Sequence, residues 1–406
     1  MDIPAIFASL RRSSMGAVLI ILQVALTLAI LLNSAGIVQE HVRRMHSNSG
    51  VDETTVFSLT NRWIGSPGES VARVDRDLAV MRATPGVVAA VSTNGVPLSG
   101  RGWGVRISQQ PVDPARQGDL TRSQLYYLDH QGLDALGLRL TEGRWFTAED
   151  VVSAAQQQRG GVAVLTRALA DHLFPNGSAL GKAVYTAYAP LTVVGIVERL
   201  QISDPGQPSI PIESTQYSVV IPSRMAQPVV NAYIVRTRPG SGAPVMQELE
   251  KRLRAADPMR VITHFETFTE TRHNTYRGNR TLTAVLVAVS SLLVLVTSLG
   301  IAGLASYWVA QRQRMIGVRR ALGARRADIL AYFHCENLLI VGAGVLLGVG
   351  LAIALNTLLV KAGVPRLDNG WLVAGVIGVL CIGQLAVLLP ALRAARVPPA
   401  LAVRSG

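Results

Sequence analysis

The chain has 406 residues, a formal net charge of +13 and only 16% charged residues. Soluble domains carry about 25% charged residues, so this composition argues against a wholly soluble protein. The mean hydropathy of +0.32 points the same way. A nucleic-acid groove is also disfavoured, because residues 39–280 carry a net charge of only +4.

Four segments contain no charged side chain over a length that can cross a bilayer. They are residues 13–39, 281–311, 337–360 and 369–392. A membrane-spanning helix needs about 20 predominantly apolar residues, and each segment exceeds that length. We therefore predict four transmembrane α-helices. A large α/β extracytoplasmic domain, residues 40–280, lies between the first and second helices, and we call it the inserted domain.

The first apolar segment follows Arg11 and Arg12, which lie in the short N-terminal segment 1–12. A cleaved secretory signal is the alternative interpretation of such a start. Its apolar run is longer than the roughly 7–15 residues of a signal core, and the small residues near its end form a weak cleavage site. We interpret it as an uncleaved membrane helix.

The inserted domain is predicted to mix helices and strands. Helical spacing of apolar residues marks 71–82, 167–174 and 244–255, and short apolar runs mark strands at 87–92, 161–165, 191–197, 217–221 and 232–235. This rhythm near both ends predicts one discontinuous subdomain, with a second subdomain inserted at about residues 125–210. Residues 205–211 contain three prolines and are expected to form a surface loop, either a connector or a contact loop.

No enzyme site is predicted in the chain. Residues 177–183 superficially resemble a phosphate-binding loop, but only three residues separate Gly177 from Gly181. Ala183 follows Lys182 where a phosphate-binding loop needs Ser or Thr to hold magnesium. We expect a non-catalytic subunit whose ATP is hydrolysed elsewhere.

The metal-ligating residue types are scattered. His41 and His46 are five residues apart, which does not place them on one helical face. Both cysteines, Cys335 and Cys381, lie outside the inserted domain, which is therefore expected to fold without disulfides. We expect this chain to bind no metal and no cofactor of its own.

The coupling loop, residues 312–336, joins the second and third apolar segments. It holds six arginines between residues 312 and 326. Lys and Arg that flank membrane helices remain on the cytoplasmic side. This rule predicts cytoplasmic N- and C-termini and a cytoplasmic coupling loop. The inserted domain and the short loop 361–368 are then outside, as in a multi-pass protein of the bacterial inner membrane.

The spacing within the coupling loop predicts a docking element. Arg312, Arg319 and Arg326 recur every seven residues, and the apolar residues Ile316, Leu322 and Ile329 accompany them. We predict a short amphipathic helix that docks onto a cytoplasmic protein, with bends at Gly317 and Gly323. A loop lying on anionic lipid headgroups is the alternative. Two arginines would suffice for topology, so six favour docking.

The third and fourth apolar segments add two weaker signals. Gly344 and Gly348 form a small-xxx-small pattern that permits close helix packing, although glycine is common in membrane helices generally. Residues 389–404 repeat the pairing of apolar residues and arginines, as a frayed anchor or a second cytoplasmic contact. The spans carry no charge, which disfavours a channel or a proton-coupled transporter.

The chain resembles FtsX-like, MacB-type ABC transporter permeases over essentially its whole length. The residues that carry the resemblance are the stretch Ile316–Ala324, between a long apolar segment and a glycine-rich one, and Leu389–Arg393 in the tail. Segments of the inserted domain follow the order usual for the family's periplasmic domain: 136–146, 162–165, 172–175, 180–182 and 192–197.

The resemblance implies a transmembrane permease subunit that pairs with a second one, as a homodimer or a heterodimer. A separate cytoplasmic ABC ATPase dimer binds ATP and Mg, and its motion passes through the coupling loop to the periplasmic domain. This motion drives efflux with a periplasmic adaptor and an outer-membrane channel. An FtsX-like regulator that activates a periplasmic cell-wall hydrolase, and a lipoprotein-releasing permease, are the alternatives.

The chain departs from the family pattern at Met315 and at Gln311, where acidic residues are usual. Such a loss fits a subunit that works beside a more typical, non-identical partner. The resemblance assigns ATPase coupling to Arg314, Met315, Ile316, Gly317, Arg319, Arg320, Gly323, Arg325 and Arg326.

Overall fold

The structure is a computed structural model, and it describes residues 14–64, 70–111, 120–152, 160–187, 189–227, 229–361, 364 and 366–395. The chain divides into two compact units. The helical unit comprises the chain up to Arg43 and from Arg280 onward, and the inserted domain comprises Arg44–Asn279. The predicted tail contact covers residues 389–404, of which 396–404 lie outside the described residues, as do Arg11 and Arg12 near the N-terminus.

The helices and strands are numbered in chain order over the described residues. The helices are α1 (Ser14–Met45), α2 (Ser70–Arg82), α3 (Gly132–Leu136), α4 (Arg167–Leu173), α5 (Gly242–Ala256), α6 (Phe268–Thr275), α7 (Arg277–Gln311), α8 (Gln313–Ala321), α9 (Arg326–Val360) and α10 (Asn369–Ala395). The strands are β1 (Val56–Trp63), β2 (Val87–Thr93), β3 (Trp103–Ser108), β4 (Thr121–Leu128), β5 (Leu140–Gly143), β6 (Gly161–Thr166), β7 (Ala183–Thr186), β8 (Pro190–Val197), β9 (Ser218–Pro222), β10 (Val230–Thr237) and β11 (Arg260–Thr267).

Four helices of the helical unit, α1, α7, α9 and α10, are long and apolar enough to cross a membrane. All four extend beyond the predicted spans, since α1 ends at Met45, α7 begins at Arg277, α9 begins at Arg326 and α10 ends at Ala395. Helical hydrogen bonding continues into polar sequence, so counting uncharged residues finds only the apolar part of each helix. Their core is built from small and branched apolar side chains such as Val24, Leu28 and Val341.

Two of the glycines in α9 bring that helix close to α1. A Cβ on Gly344 would lie 2.8 Å from Val24 Cβ, and one on Gly348 would lie 2.9 Å from the carbonyl oxygen of Ala25. Gly342 and Gly350 face open space. The small-xxx-small pattern therefore serves close packing at the two positions that define it.

The first sheet of the inserted domain is antiparallel, with the order β11-β1-β10-β2. Its strands come from both ends of the inserted domain. Helices α2 and α5 share one apolar cluster with it, in which Val245, Leu249 and Leu253 of α5 pack with Phe57 and Tyr233. The apolar residues that the sequence places on one side of α5 thus form the buried face of this helix.

The second sheet is mixed and has the order β5-β8-β6-β9-β4-β3-β7. The pairs β4–β9 and β6–β8 are parallel. Its strands run from residue 103 to residue 222, a longer segment than the 125–210 expected from the sequence. Each element predicted in the inserted domain is present within two residues of its predicted bounds, whereas β1, β3, β4, β5, β7, β11, α3 and α6 were not predicted.

A buried ion pair lies within the first subdomain. Arg260 Nη1 lies 2.8 Å from Asp77 Oδ1, and both side chains are 1% exposed. Tyr233 Oη and Asn61 Nδ2 donate to the other carboxylate oxygen over 3.0 and 3.2 Å. The pair ties α2 to three strands of the first sheet, β1, β10 and β11.

The proline-containing loop 205–211 is fastened through its backbone. The buried Arg44 side chain donates to the carbonyl oxygens of Pro205, Gln207 and Ile210 over 2.7–3.0 Å. Asn279 Nδ2 donates to the carbonyl oxygen of Gly206 in the same loop, over 3.2 Å. The segment is an irregular surface loop, as expected, but its path is fixed by these bonds.

Candidate functional site

The first part of the coupling loop forms the short helix α8, followed by a tight turn into α9. Gly323 has φ +97°, a left-handed conformation that glycine adopts without strain. The Arg325 backbone N–H then donates to Asp328 Oδ2 over 2.9 Å, at the first turn of α9. The predicted bend at Gly317 is wrong, because Gly317 is buried within the continuous helix α8.

Helix α8 has one buried and one exposed apolar side. Ile316 is 5% exposed and belongs to the same cluster as Ile329 and Phe333 of α9. Met315 and Val318 are each 49% exposed and Leu322 is 83% exposed. Met315 and Val318 lie on α8, and Leu322 follows it directly, with its backbone N–H bonded to the Val318 carbonyl oxygen over 3.0 Å. Their spacing of i, i+3 and i+7 places the three on one side, which we call the coupling face.

The seven-residue periodicity in the sequence does not describe one surface. Leu322 is exposed whereas Ile316 and Ile329 are buried, so the expected shared apolar face is wrong. The turn at Gly323 separates Arg326, the first residue of α9, from Arg319 in α8. A helical repeat holds only while one helix continues, and this one is interrupted.

Exposed arginines surround the coupling face. Arg314, Arg319, Arg325 and Arg326 are exposed. The Arg319 guanidinium lies 5.3 Å from the centroid of the Tyr332 ring, a cation–π distance that orients it. Arg320 lies within α8, and its side chain is outside the described part of the structure.

Arg312, directly before α8, forms a buried ion pair that the sequence reasoning missed. Its Nη1 lies 2.8 Å from Glu336 Oε2, with side-chain exposures of 14% and 2%. The guanidinium also lies 5.9 Å from the ring centroid of Trp308 in α7. The signal was present in the sequence, because a single acid next to a long apolar run is costly in a membrane and needs a partner.

Further buried polar contacts join the helices around this pair. Asn337 Nδ2 donates to the Gly383 carbonyl oxygen in α10 over 3.0 Å. His334 Nδ1 lies 2.7 Å from Gln384 Oε1 in the same helix. Through α9, the beginning of α8 is thus connected to α10 by hydrogen bonds.

A second polar cluster joins α9 to α1. Asn356 Nδ2 donates to Asn33 Oδ1 over 3.2 Å, and Asn33 Nδ2 donates to the carbonyl oxygens of Ala29 and Ala352. The Asn356 side-chain oxygen accepts from the Leu367 backbone N–H over 3.0 Å. Every polar atom named here has a partner, which apolar surroundings require.

The segment that superficially resembles a phosphate-binding loop has another structure. Residues 177–182 lead into the strand β7, whereas a phosphate-binding loop leads into a helix. Among the described residues, no group of three His, Cys, Asp or Glu side chains is arranged to hold a metal ion.

Two family models match the chain. The MacB-like periplasmic core domain matches residues 17–252, more than half of the chain. The FtsX-like permease C-terminal domain matches residues 287–399, which include the coupling loop. The two matches follow one another along the chain in the order of the fold, with the inserted domain before the three C-terminal apolar helices.

Among curated relatives, the macrolide export ATP-binding/permease protein MacB of Agrobacterium fabrum is 30% identical over 55% of this chain and 34% of its own length. MacB of Neisseria meningitidis serogroup A is 29% identical over 59% of this chain and 36% of its own. The chain thus spans about a third of the MacB relatives it matches. An uncharacterised ABC transporter permease of Bacillus subtilis, YvrN, is 26% identical over 69% of this chain and 70% of its own.

Solved structures with a similar segment include the periplasmic region of MacB from Actinobacillus actinomycetemcomitans. It is 18% identical, has a TM-score of 0.34, and covers 55% of this chain and 94% of that chain. The extracellular domain of the transporter YknZ is 15% identical, with a TM-score of 0.33, and covers 51% of this chain. On the match to more than half of its residues, the chain belongs to the family of MacB-like, FtsX-type ABC transporter permeases, multi-pass proteins with four apolar helices and a periplasmic-type α/β domain.

Proposed function

We propose that this chain is the non-catalytic permease subunit of an ABC exporter. A separate cytoplasmic ATPase dimer binds ATP and Mg, and its motion passes through α8 to the helices and the inserted domain. The expelled substrate leaves by way of a periplasmic adaptor and an outer-membrane channel. The termini and the coupling loop are cytoplasmic, and the inserted domain is periplasmic.

The observation that carries this proposal is the coupling face. Single exposed apolar residues are common on proteins, but here two lie on one side of α8, a third, Leu322, directly follows that helix, and exposed arginines surround them. The arginines alone would also bind an anionic lipid surface. A protein partner accounts better for the face, because apolar side chains ringed by charge match the core and rim of a protein interface.

The attachment of α8 to the helical unit supports transmission of force. Ile316 is packed in the apolar core, and Arg312, directly before α8, forms an ion pair with Glu336 of α9. Displacement of α8 therefore acts on α7 and α9 together. Packed interiors respond to such a displacement as rigid bodies, since they have little free volume to absorb it.

Met315 lies on the coupling face, where relatives with the usual pattern carry an acid. Its exposed thioether cannot pair with a basic group on the ATPase. We therefore propose that this subunit pairs with a second permease subunit, and that the pair is a heterodimer rather than a homodimer. Met315→Glu should increase the affinity of an ATPase that accepts the usual acidic loop.

The test is ATP hydrolysis by the complex purified from membranes with its ATPase. Val318→Asp places a charge on the coupling face and should reduce hydrolysis coupled to the permease at least tenfold, with unchanged membrane insertion. Val88→Asp is the matched control, since Val88 is 53% exposed on the inserted domain. Equal hydrolysis by the two variants would contradict the assignment of the coupling face.

The partners that co-purify test the export role. Recovery of an adaptor with the ATPase supports an exporter. Recovery of a cell-wall hydrolase with the ATPase, without an adaptor, would contradict export and indicate a regulatory role.

A further inference from the structure

A cleft of about 680 Å³ opens on the inserted domain beside the first sheet. Its floor is one face of that sheet, and its opposite wall is formed by residues 94–102, which connect β2 to β3, and by the first residue of β3. The volume lies within the range of about 300–1,000 Å³ that is usual for ligand sites. None of the lining residues belongs to the coupling loop, so the proposed coupling function does not account for the cleft.

The floor of the cleft presents hydroxyl groups. Thr93 of β2, Ala232 of β10 and Thr60 of β1 are register partners across the sheet, and all three line the cleft. Ser58 also lines it, two residues before Thr60, because side chains two apart in a strand share a face. Strands β1 and β10 are paired on both sides, so the floor offers side chains rather than free backbone groups to a ligand.

Two of the floor hydroxyls are not engaged within the protein. Ser58 is 9% exposed, and neither its hydroxyl nor that of Thr60 bonds to a residue that the structure describes. Thr263 Oγ1 donates to the Thr60 carbonyl oxygen over 3.2 Å, which leaves its lone pairs free to accept. A ligand hydroxyl can both donate and accept, and a bond to Ser58 would recover the cost of an unpaired buried group.

The wall of the cleft carries an exposed aromatic ring. Trp103, the first residue of β3, is 44% exposed. Its ring is perpendicular to that of Tyr127, with the centroids 6.0 Å apart, and this edge-to-face contact orients it. A sugar ring has apolar C–H groups on its faces and hydroxyls around its edge. It can therefore pack on the tryptophan and bond to the floor at the same time.

The charges in the lining balance. Arg101 and Glu266 are the charged residues that line the cleft, one of each sign. Asn274 Nδ2 donates to Glu266 Oε1 over 2.6 Å. Selection of an ionic partner relies on a surplus of the opposite charge, which this lining lacks. A neutral, hydroxylated ligand fits it better.

The wall is held in place before any ligand arrives. A Cβ on Gly95 would lie 2.9 Å from both the Arg101 carbonyl oxygen and Gly102 Cα, and one on Gly102 would lie 2.9 Å from Ser203 Oγ. The two ends of this wall are thus in close backbone contact. A wall that is already ordered loses little conformational freedom on binding, which favours affinity.

We propose that this cleft binds a neutral oligosaccharide. One sugar ring packs on Trp103, and hydroxyls of the bound chain bond to Ser58, Thr60 and Thr263. An extended peptide is disfavoured, because strand addition needs free backbone groups and the floor strands are already paired on both sides. The proposal goes beyond the coupling function and does not depend on it.

The test uses the full chain in lipid nanodiscs and two neutral trisaccharides, chitotriose and maltotriose. Saturation-transfer difference NMR should show saturable binding of at least one of them. Failure of both to bind would overturn the proposal.

Substitution of the tryptophan tests the packing of the sugar ring. Trp103→Phe keeps an aromatic ring and should retain most of the affinity, whereas Trp103→Leu keeps only apolar area and should weaken binding at least tenfold. Trp371→Leu is the matched control, since Trp371 is 38% exposed on α10 of the helical unit. Equal binding by the two leucine variants would contradict the assignment of the cleft.

The floor is tested by a hydroxyl deletion and by competition. Thr60→Val removes one hydroxyl with little change of shape and should weaken binding severalfold. Unchanged affinity of this variant would count against the proposal. A peptide of alternating serine and glycine should not displace the bound trisaccharide at an equal concentration. Displacement by that peptide would show a general polar cleft and overturn the proposal.

Discussion

Each unit of the molecule contains a buried arginine–carboxylate pair at 2.8 Å, and the two pairs differ in how they are enclosed. In the inserted domain, Asp77 and Arg260 are both 1% exposed. In the helical unit, Glu336 is 2% exposed but Arg312 is 14% exposed. The first pair is sealed on all sides, and the second has one end near the surface, directly before α8.

On the proposed function, the difference separates a pair that stabilises the fold of the inserted domain from a pair that positions the docking helix α8. In a sealed pair, removing either partner leaves the other charge buried without a counterion. Such a pair therefore acts mainly by making structures that separate the two charges unfavourable. In the half-open pair, Arg312 can recover solvation and Glu336 cannot. That asymmetry suits a junction where α8 is expected to move relative to α7 and α9 during the ATPase cycle.

The largest expected effect follows from breaking the sealed pair. Asp77→Asn leaves Arg260 charged without its counterion in a closed core, which should destabilise the inserted domain by about 3–5 kcal/mol. Thermal unfolding followed by circular dichroism measures the loss. Asp75→Asn is the control, because Asp75 pairs with Arg224 at the surface, with side chains 43% and 38% exposed. Equal unfolding midpoints in the two variants would remove the distinction drawn for the sealed pair.

The half-open pair should respond unequally to its two single substitutions. Arg312→Gln strands the Glu336 carboxylate and should cost about 3 kcal/mol, near the cost of a charge within a membrane helix. Glu336→Gln should cost less than about 1.5 kcal/mol, because the arginine then reaches solvent. Unfolding midpoints in detergent, with ATP hydrolysis as a second readout, compare the two. The same cost for both variants would mean that this pair is as closed as the one in the inserted domain.

A smaller effect is expected where the helical unit depends on close packing. Gly348→Leu forces a side chain against the Ala25 carbonyl oxygen and should cost about 1–3 kcal/mol. A Cβ on Gly350 would meet no neighbouring atom within 4 Å in the described structure, so Gly350→Leu should be nearly neutral. Detergent unfolding midpoints report both. A neutral Gly348→Leu would show that α1 and α9 can separate without cost.

The smallest effect belongs to a partly exposed pair at 2.6 Å, in which the Arg144 side chain is 50% exposed and the Asp150 side chain is 15% exposed. A hydrogen bond from Arg144 lowers the pKa of Asp150 to about 2. Since the unfolded value is about 3.9, this contribution is present above about pH 4 and is lost as the pH falls toward 2. Asp150→Asn should therefore cost less than about 1 kcal/mol at pH 7, and the difference from the unaltered protein should vanish in acid. Unfolding midpoints between pH 2 and 7 test the sign.

The sequence predicted the elements whose burial pattern is periodic. The stripe of Val245, Leu249 and Leu253 in α5 is one example. The long helices of the helical unit were predicted from the length of their apolar runs instead. Strand β1 was missed because almost all of its residues are buried, so it lacks the alternation that marks a half-exposed strand. The bounds of the second subdomain were set too narrowly because β3 and β4 carry exposed arginines within otherwise short apolar runs.

For the coupling loop, the sequence predicted which residue types lie together but not how their side chains are arranged. The sequence pattern placed the arginines and apolar residues of the coupling loop in one short segment, and their role in ATPase coupling stays a prediction. Their division between a buried and an exposed side depends on the turn at Gly323, which ends the periodicity that was read through it. The lone acid Glu336 beside an apolar run indicates that it needs a partner, but Arg312 is 24 positions away, and no local pattern identifies it as that partner.

The most direct test of the account is a photo-crosslinker placed on the coupling face at Leu322, in native membranes with the intact complex. The account predicts an adduct whose partner is identified by mass spectrometry as an ATP-binding protein with nucleotide-binding motifs. The same crosslinker at Leu346, which is 78% exposed on α9, should give no such adduct. Reaction of Leu322 with lipid alone, while the ATPase is present and active, would contradict the central claim.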